Sequence, residues 1–247
     1  MELWQVPVLI AGGVACGIIN ALAGGGSFVT LPLLLMIGLP PQIANATNRV
    51  AIALQCGAGI ATYHRSRVRP WRHLPPLAIP MVLGSLLGAY AAAYLDESLF
   101  RKLAAVLFGV MLVTVLVDPK RWAQEHAIGR IRWYVYPIFF LMGLYGGFLQ
   151  AGLGTLIITS LVLFGGFDVV RGNALKFALA FCFTVAALLM FAQAGQVQWI
   201  TGLILAIGTM AGGVIGARLV IARGKKWVRI FVIIAACGAI LKLLMGA

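Results

Sequence analysis

The chain is poor in acid: of 247 residues only six are Asp or Glu, against 19 Lys or Arg, and charged residues of both signs together make up 10%. A soluble domain carries about 25% charged residues, so this composition excludes a water-solvated globule. The four cysteines, Cys16, Cys56, Cys182 and Cys237, stand singly inside apolar runs. Such spacing gives neither a metal site nor a disulfide framework, and they read as small packing residues. The phosphate-loop pattern Gly-x-x-x-x-Gly-Lys-Ser/Thr is missing, which removes the expectation of ATP hydrolysis. No Ser-His-Asp constellation, metal-ligand cluster or carboxylate pair lies within the apolar runs, so no enzyme, metal or cofactor chemistry is expected. His64, His73 and His126 sit in or beside basic loops and read as solvated.

What the chain has in abundance is apolar sequence, 62% of it, in several long runs. That pattern is a polytopic membrane protein with the lipid bilayer as its solvent. A formal charge of +13 suggests nucleic acid in a soluble protein, but here the basic residues lie in short loops between apolar runs, so no nucleic-acid partner is expected. The N-terminus, Met1 to Gln5, lacks a basic n-region, so the first apolar run is expected to stay as a helix.

Ten segments are predicted, at about 5 to 22, 27 to 37, 42 to 64, 74 to 95, 99 to 117, 133 to 150, 155 to 165, 169 to 192, 199 to 221 and 227 to 246. Those at 27 to 37 and 155 to 165 rise only about 16 Å against a hydrocarbon core of about 30 Å, and cannot span alone. The arginine-rich loop at 65 to 72 and the basic loops at 118 to 132 and 218 to 229 are assigned to the cytoplasm. The loop at 95 to 102, balanced by Asp96 and Glu97, and the uncharged loop at 193 to 198 are assigned outside. Both termini then fall on the non-cytoplasmic side.

A shift of 128 superposes the two halves without a gap. Gly24 falls on Gly152, Gly26 on Gly154, Asn45 on Asn173, Trp71 on Trp199, and Gly84 on Gly212. Equivalent loops carry opposite charge character, so the halves are expected to be inverted: residues 1–118 as one repeat of about five segments, 119–132 as a basic linker, and 133–247 as the second repeat. Inverted repeats with a short broken or re-entrant helix in each half are the organisation of secondary transporters, whose substrate binds where those helices meet.

Each short segment follows a glycine turn: Gly24-Gly25-Gly26-Ser27 in the first half, and Gln150-Ala151-Gly152-Leu153-Gly154-Thr155 in the second. Glycines allow the turn, and Ser27 and Thr155 are expected as N-caps. Tight helix packing is the other use of such glycines. If the two turns enter from opposite faces, two helix N-termini converge on the middle and favour an anion. Asn45, Asn48 and Arg49 share one face of the third segment, and Asn173 and Lys176 the equivalent face of the eighth. Basic residues well inside spans are functional candidates by default, and six acids cannot neutralise nineteen bases. Lys242, near the C-terminus, is left to snorkel.

The string AGGGSFVTLPLLL at Ala23 to Leu35, then Gly38-Leu39-Pro40-Pro41 and Ala44 to Asn48, resembles the first signature of the TauE/SafE sulfite exporter family, also called the toluenesulfonate uptake permeases. Gly146 to Gly166 followed by Gly172 to Lys176 is similar to its second signature. Gln150, Ala151 and Leu153 stand where that signature often has glycine, a change that narrows the pocket or adds a hydrogen-bonding amide. The resemblance implies a bacterial-type inner-membrane permease for sulfite, sulfonates, sulfoacetate or related small sulfur-containing anions. The residues alone point to an anion, with an alternating-access transporter as the first reading and an anion channel as the second. Self-association into a homo-oligomer stays open.

Overall fold

A computed structural model describes residues 3–116 and 133–223. The expected segment at 227 to 246 and the linker at 119 to 132 lie outside the described residues, and with them the basic residues of those stretches, His126, Cys237 and Lys242. The described part is all-helical, with no strand. In order it comprises α1 (Gln5–Ala23), α2 (Ser27–Met36), α3 (Pro41–Arg65), α4 (Leu74–Tyr94), α5 (Glu97–Leu116), α6 (Val135–Phe148), α7 (Leu153–Leu163), α8 (Val169–Gln193) and α9 (Trp199–Arg223), with a single 3-10 turn, Trp71–His73, leading into α4. Nine of the ten expected segments are therefore helices. The stretches Gln5–Ala23, Trp71–Tyr94, Val169–Gln193 and Trp199–Ala222 are long and apolar enough to cross a membrane. On α4, Ile79, Leu83 and Leu87 form an exposed apolar stripe at spacings of four, a face suited to lipid.

Local sequence accounts for the boundaries. Pro41 opens α3 at a position that needs no N–H donor. The Asp168 side chain caps α8 by accepting from the Val170 and Arg171 amides at 3.0 and 2.9 Å. Asp96 accepts from the Ser98 hydroxyl and from the Ser98 and Leu99 amides ahead of α5, contacts that hold its carboxyl below the usual carboxylate range. The short helices α2 and α7 have 10 and 11 residues, and α6 has only 14, a rise of about 21 Å.

Left-handed backbone recurs at one interval. Gly24 and Gly152 (φ 79° and 73°), Gly38 and Gly166 (92° and 65°), and Arg67 and Gly195 (60° and 68°) each stand 128 residues apart. The turns that break the helices thus repeat along with the sequence.

Packing interleaves the two stretches of chain. Gly13 and Gly17 of α1 face Gly208 and Gly212 of α9, so closely that a Cβ on Gly13 would stand 2.8 Å from the Leu205 carbonyl oxygen. Both numberings rise together along this seam, so the two helices are parallel. Gly84 and Gly88 of α4 meet α6 at Phe140 and Leu144, and Gly143 and Gly147 of α6 meet α4 at Met81 and Ser85, again in parallel. Small residues every fourth position let apolar helices approach where water-driven burial is not available.

Two ends of the bundle follow from the loops. At one, the Gln196 amide donates to the Ala93 carbonyl (2.8 Å) and Gln42 donates to those of Ala92 and Leu95, which joins the loops near 37–41, 95–96 and 194–198. At the other, the His73 ring lies edge-on to Phe167, 5.1 Å between centroids, so the α3–α4 loop adjoins the α7–α8 connection. The α2–α3 and α7–α8 connections thus lie at opposite ends.

Candidate functional site

The breaks before α2 and α7 meet in the centre of the bundle. Gly24 and Gly154 touch through their backbones: a Cβ on Gly154 would stand 2.6 Å from Gly24 Cα, and one on Gly24 would strike Gly154 and Thr155. The Thr155 hydroxyl donates to the Ala23 carbonyl, so the turn before α2 is bonded to the first turn of α7. The two helix N-termini are therefore neighbours.

Neither expected N-cap acts as one. Gly26 and Gly152 hold the N-cap positions, without side-chain caps. Ser27 is the first residue of α2, and its hydroxyl accepts from the Asn48 amide at 3.3 Å. Thr155, three residues past Gly152, spends its hydroxyl across the interface. Glycine meets the backbone demand of the turn, which releases the Ser27 hydroxyl for Asn48 of the next helix and the Thr155 hydroxyl for the distant α1–α2 turn.

Both buried cations reach the carboxyl end of a helix from the other stretch of chain. Arg49, wholly buried on α3, donates to the Gly146 and Gly147 carbonyls at the end of α6 (2.9 and 2.5 Å) and to the Gln150 side-chain oxygen (3.4 Å). Its guanidinium carbon lies 4.8 Å from the centre of the Phe191 ring. Lys176, on α8, donates to the Asn20 and Ala21 carbonyls at the end of α1 (2.7 and 3.3 Å). The asparagines follow the same plan: Asn45 donates to the Phe148 carbonyl and Asn173 to that of Ala21, each at 2.8 Å. A helix C-terminus carries unpaired carbonyls and about half a negative charge, which a buried cation satisfies.

The sum of these contacts leaves the centre positive. The cations offset the carboxyl ends of α1 and α6, whereas no carboxylate among the described residues lies near the amino ends of α2 and α7, which follow at once. Among the described residues the acids are Asp96, Glu97 and Asp168, and all are exposed. Asp168 lies 3.6 Å from the Arg171 guanidinium.

A cavity of about 20 Å³ occupies this junction. It is lined by five of the expected residues, Gly24, Ser27, Gln150, Gly154 and Lys176. Asn48 reaches it through Ser27. Arg49, Asn45, Asn173 and Thr155 stand behind it as cross-links, and Gly25, Gly26 and Gly152 shape the turns without lining the space. Gly152 lies under Phe28, whose ring a Cβ would meet at 2.9 Å. Gln150 has left-handed backbone (φ 70°), and its amide nitrogen donates to the Thr184 hydroxyl at 2.8 Å, which holds the side-chain oxygen towards Arg49.

Asn20 and Cys56 also line the cavity and were not expected there. Asn20 donates to Gln55 (3.2 Å), Gln55 donates to the Gly17 carbonyl (3.3 Å), and Asn173 donates to the Tyr63 hydroxyl (2.8 Å). Their only signal in the sequence is a lone amide or phenol inside an apolar run, which the cost of burying a polar group makes informative.

The chain is similar to known membrane transporters. The family model described as Sulfite exporter TauE/SafE matches residues 9–243. A probable membrane transporter protein of Haemophilus influenzae is 28% identical over 229 residues, 92% of this chain and 89% of its own length. The probable membrane transporter protein YfcA of Escherichia coli is 28% identical over 255 residues, 98% and 93% of the two chains. The probable membrane transporter protein YunE of Bacillus subtilis is 23% identical, over 86% and 87%. No solved structure matches the chain.

Proposed function

Because the chain belongs to the TauE/SafE sulfite exporter family, it is a membrane transporter, and we propose that it carries small sulfur-containing oxyanions, sulfite or an organosulfonate such as sulfoacetate, across a bacterial inner membrane. The observation that carries this reading is the central cavity, where Lys176 and the amino ends of α2 and α7 meet with no carboxylate among the lining residues. An oxyanion there would accept from Lys176, from Ser27 and from the backbone amides of the two glycine turns. Gln150 would supply the amide that orients it.

The proposed mechanism is alternating access. A cavity of about 20 Å³ admits about one water and no sulfur oxyanion, so binding requires the junction to open. Lys176 would then exchange the Asn20 and Ala21 carbonyls for the anion, which uncaps α1 and frees the α1–α2 turn to move. Two inverted repeats, residues 1–118 and 133–247 about the linker 119–132, fit the recurring left-handed turns and the opposite ends at which the α2–α3 and α7–α8 connections lie. The parallel seams alter which parts rock: α1 travels with α9 and α4 with α6, so each moving body takes helices from both repeats. The basic loop at 65–72 is placed in the cytoplasm and both termini outside.

A channel of the same architecture is the rival reading, and it needs a continuous wet path, which a one-water junction does not offer. Flux into proteoliposomes, measured for sulfite and a panel of sulfonates against sulfate and chloride, with a pH gradient imposed or omitted, tests the proposal. Saturable flux of a sulfur oxyanion is expected. No flux of any sulfur compound by folded, inserted protein would sink the substrate assignment, and flux too fast for one conformational cycle per ion would favour the channel.

A further inference from the structure

Away from the centre, at the end of the bundle where the α3–α4 loop adjoins the α7–α8 connection, lies an open pocket of about 520 Å³. Four arginines line it, Arg67, Arg69 and Arg72 from the loop and Arg171 from the first turn of α8, against one carboxylate, Asp168. Asp168 is committed twice, to capping α8 and to Arg171 at 3.6 Å. Arg69 donates only to the His64 carbonyl (3.4 Å) and Arg72 to the His73 imidazole (2.8 Å), neither of them an anion. Phe167 and Val170 give the pocket an apolar wall.

The other end of the bundle supplies an internal control. At an interval of 128 residues, Arg67, Arg69, Arg72 and Arg171 correspond to Gly195, Val197, Ile200 and Ile43, so the same turns recur there without charge. Arg67 is the telling position. It holds left-handed backbone (φ 60°) where its counterpart is glycine (φ 68°). A side chain in that conformation carries a steric cost that glycine avoids, and strain of this kind clusters at binding and active sites.

We infer that this arginine-lined pocket binds the phosphate ester of an anionic phospholipid, with the guanidinium forks on the phosphate and the Phe167–Val170 wall against the glycerol and the first acyl carbons. Guanidinium groups match phosphate oxygens in pairs. A basic pocket between membrane helices at the headgroup level suits such lipids, and the volume lies in the range that encloses a whole headgroup rather than a bare ion. An occupant would tie the α3–α4 loop to the far end of the α7 break. The inference is independent of the transported substrate.

Native mass spectrometry of the full chain, released from mixed micelles of phosphatidylglycerol and phosphatidylcholine in equal amounts, tests it. The wild type should retain one phosphatidylglycerol at least tenfold more often than phosphatidylcholine. Arg67→Gly, which relieves the backbone, should melt no lower than the wild type in neutral detergent yet lose most of that preference, and the triple change Arg67→Gln, Arg72→Gln, Arg171→Gln should abolish it. Arg101→Gln with Lys102→Gln, which removes charge elsewhere, should leave it unchanged. Retained preference in Arg67→Gly and in the folded triple variant would overturn the site. Stabilisation by inorganic phosphate that the triple change abolishes, without phosphatidylglycerol enrichment, would assign the oxyanion to free phosphate and overturn the lipid.

Discussion

Arg49 and Lys176 do the same thing at unequal depth. Each reaches from its own stretch of chain to cap a helix of the other, Arg49 the carboxyl end of α6 and Lys176 that of α1. The offset of 128 does not superpose them: Lys176 falls on Asn48, and Arg49 on Phe177. Each lies over an aromatic ring, Arg49 at 4.8 Å from the centre of Phe191 and Lys176 at 5.0 Å from that of Phe177, but Lys176 lines the central cavity with two contacts to carbonyls, whereas Arg49 stands behind Gln150 with three acceptors. The difference separates two roles that the sequence merges. The lysine is a point charge on a flexible stem, able to change partner, and the arginine is a rigid fork fixed by several partners at once. Within the proposed function, substrate contact falls to Lys176 and the holding of the α6–α7 break to Arg49.

Mutation can break that distinction. Arg49→Met should have the largest effect, a loss of about 3 kcal/mol or more in stability, because several buried acceptors lose a charged donor together. Thermal unfolding in detergent measures it, and flux should be lost as well. Lys176→Met should instead lower flux about 100-fold, equivalent to about 2.7 kcal/mol of transition-state stabilisation. Its unfolding should shift less than that of Arg49→Met, and equal shifts would merge the two roles again.

The two glycine turns sharpen the comparison. Gly154→Ala drives a Cβ into the Gly24 backbone at 2.6 Å, and should cost about 2 kcal/mol with loss of flux, since backbone cannot yield as a side chain can. Gly25→Ala, whose Cβ meets only the Phe28 ring at 3.3 Å, should stay within about 0.5 kcal/mol. Thr155→Val, which removes one hydrogen bond to Ala23, should fall between the two glycine changes at about 1 kcal/mol. Unfolding midpoints of the three variants give the order directly.

Much of this was legible in the sequence because the bilayer enforces it. Apolar run length and flanking glycine or proline placed α1 to α9 to within a few residues, and the short α2 and α7 stood out by length alone. The candidate residues were legible as expensive polar groups in apolar runs. Their partners were not. That Lys176 would face the carbonyls at the end of α1, that Thr155 would bond across the centre, or that Ser27 would meet Asn48 in place of capping, depends on contacts more than a hundred residues apart or on which group wins a turn. The parallel seams of α1 with α9 and α4 with α6 were equally hidden, since a glycine spacing shows that a helix has a close neighbour without saying which.

If an oxyanion enters the junction beside Lys176, Cys56, buried in the wall of that cavity, can report it. With Cys16, Cys182 and Cys237 replaced by serine, the rate at which a small maleimide labels Cys56 should be measured with and without methanesulfonate. Labelling should be slow, limited by opening, and methanesulfonate should slow it several-fold further and saturably, with the protection lost in Lys176→Gln. Labelling indifferent to sulfonates in a protein that still transports them would place the anion path elsewhere and contradict entry beside Lys176.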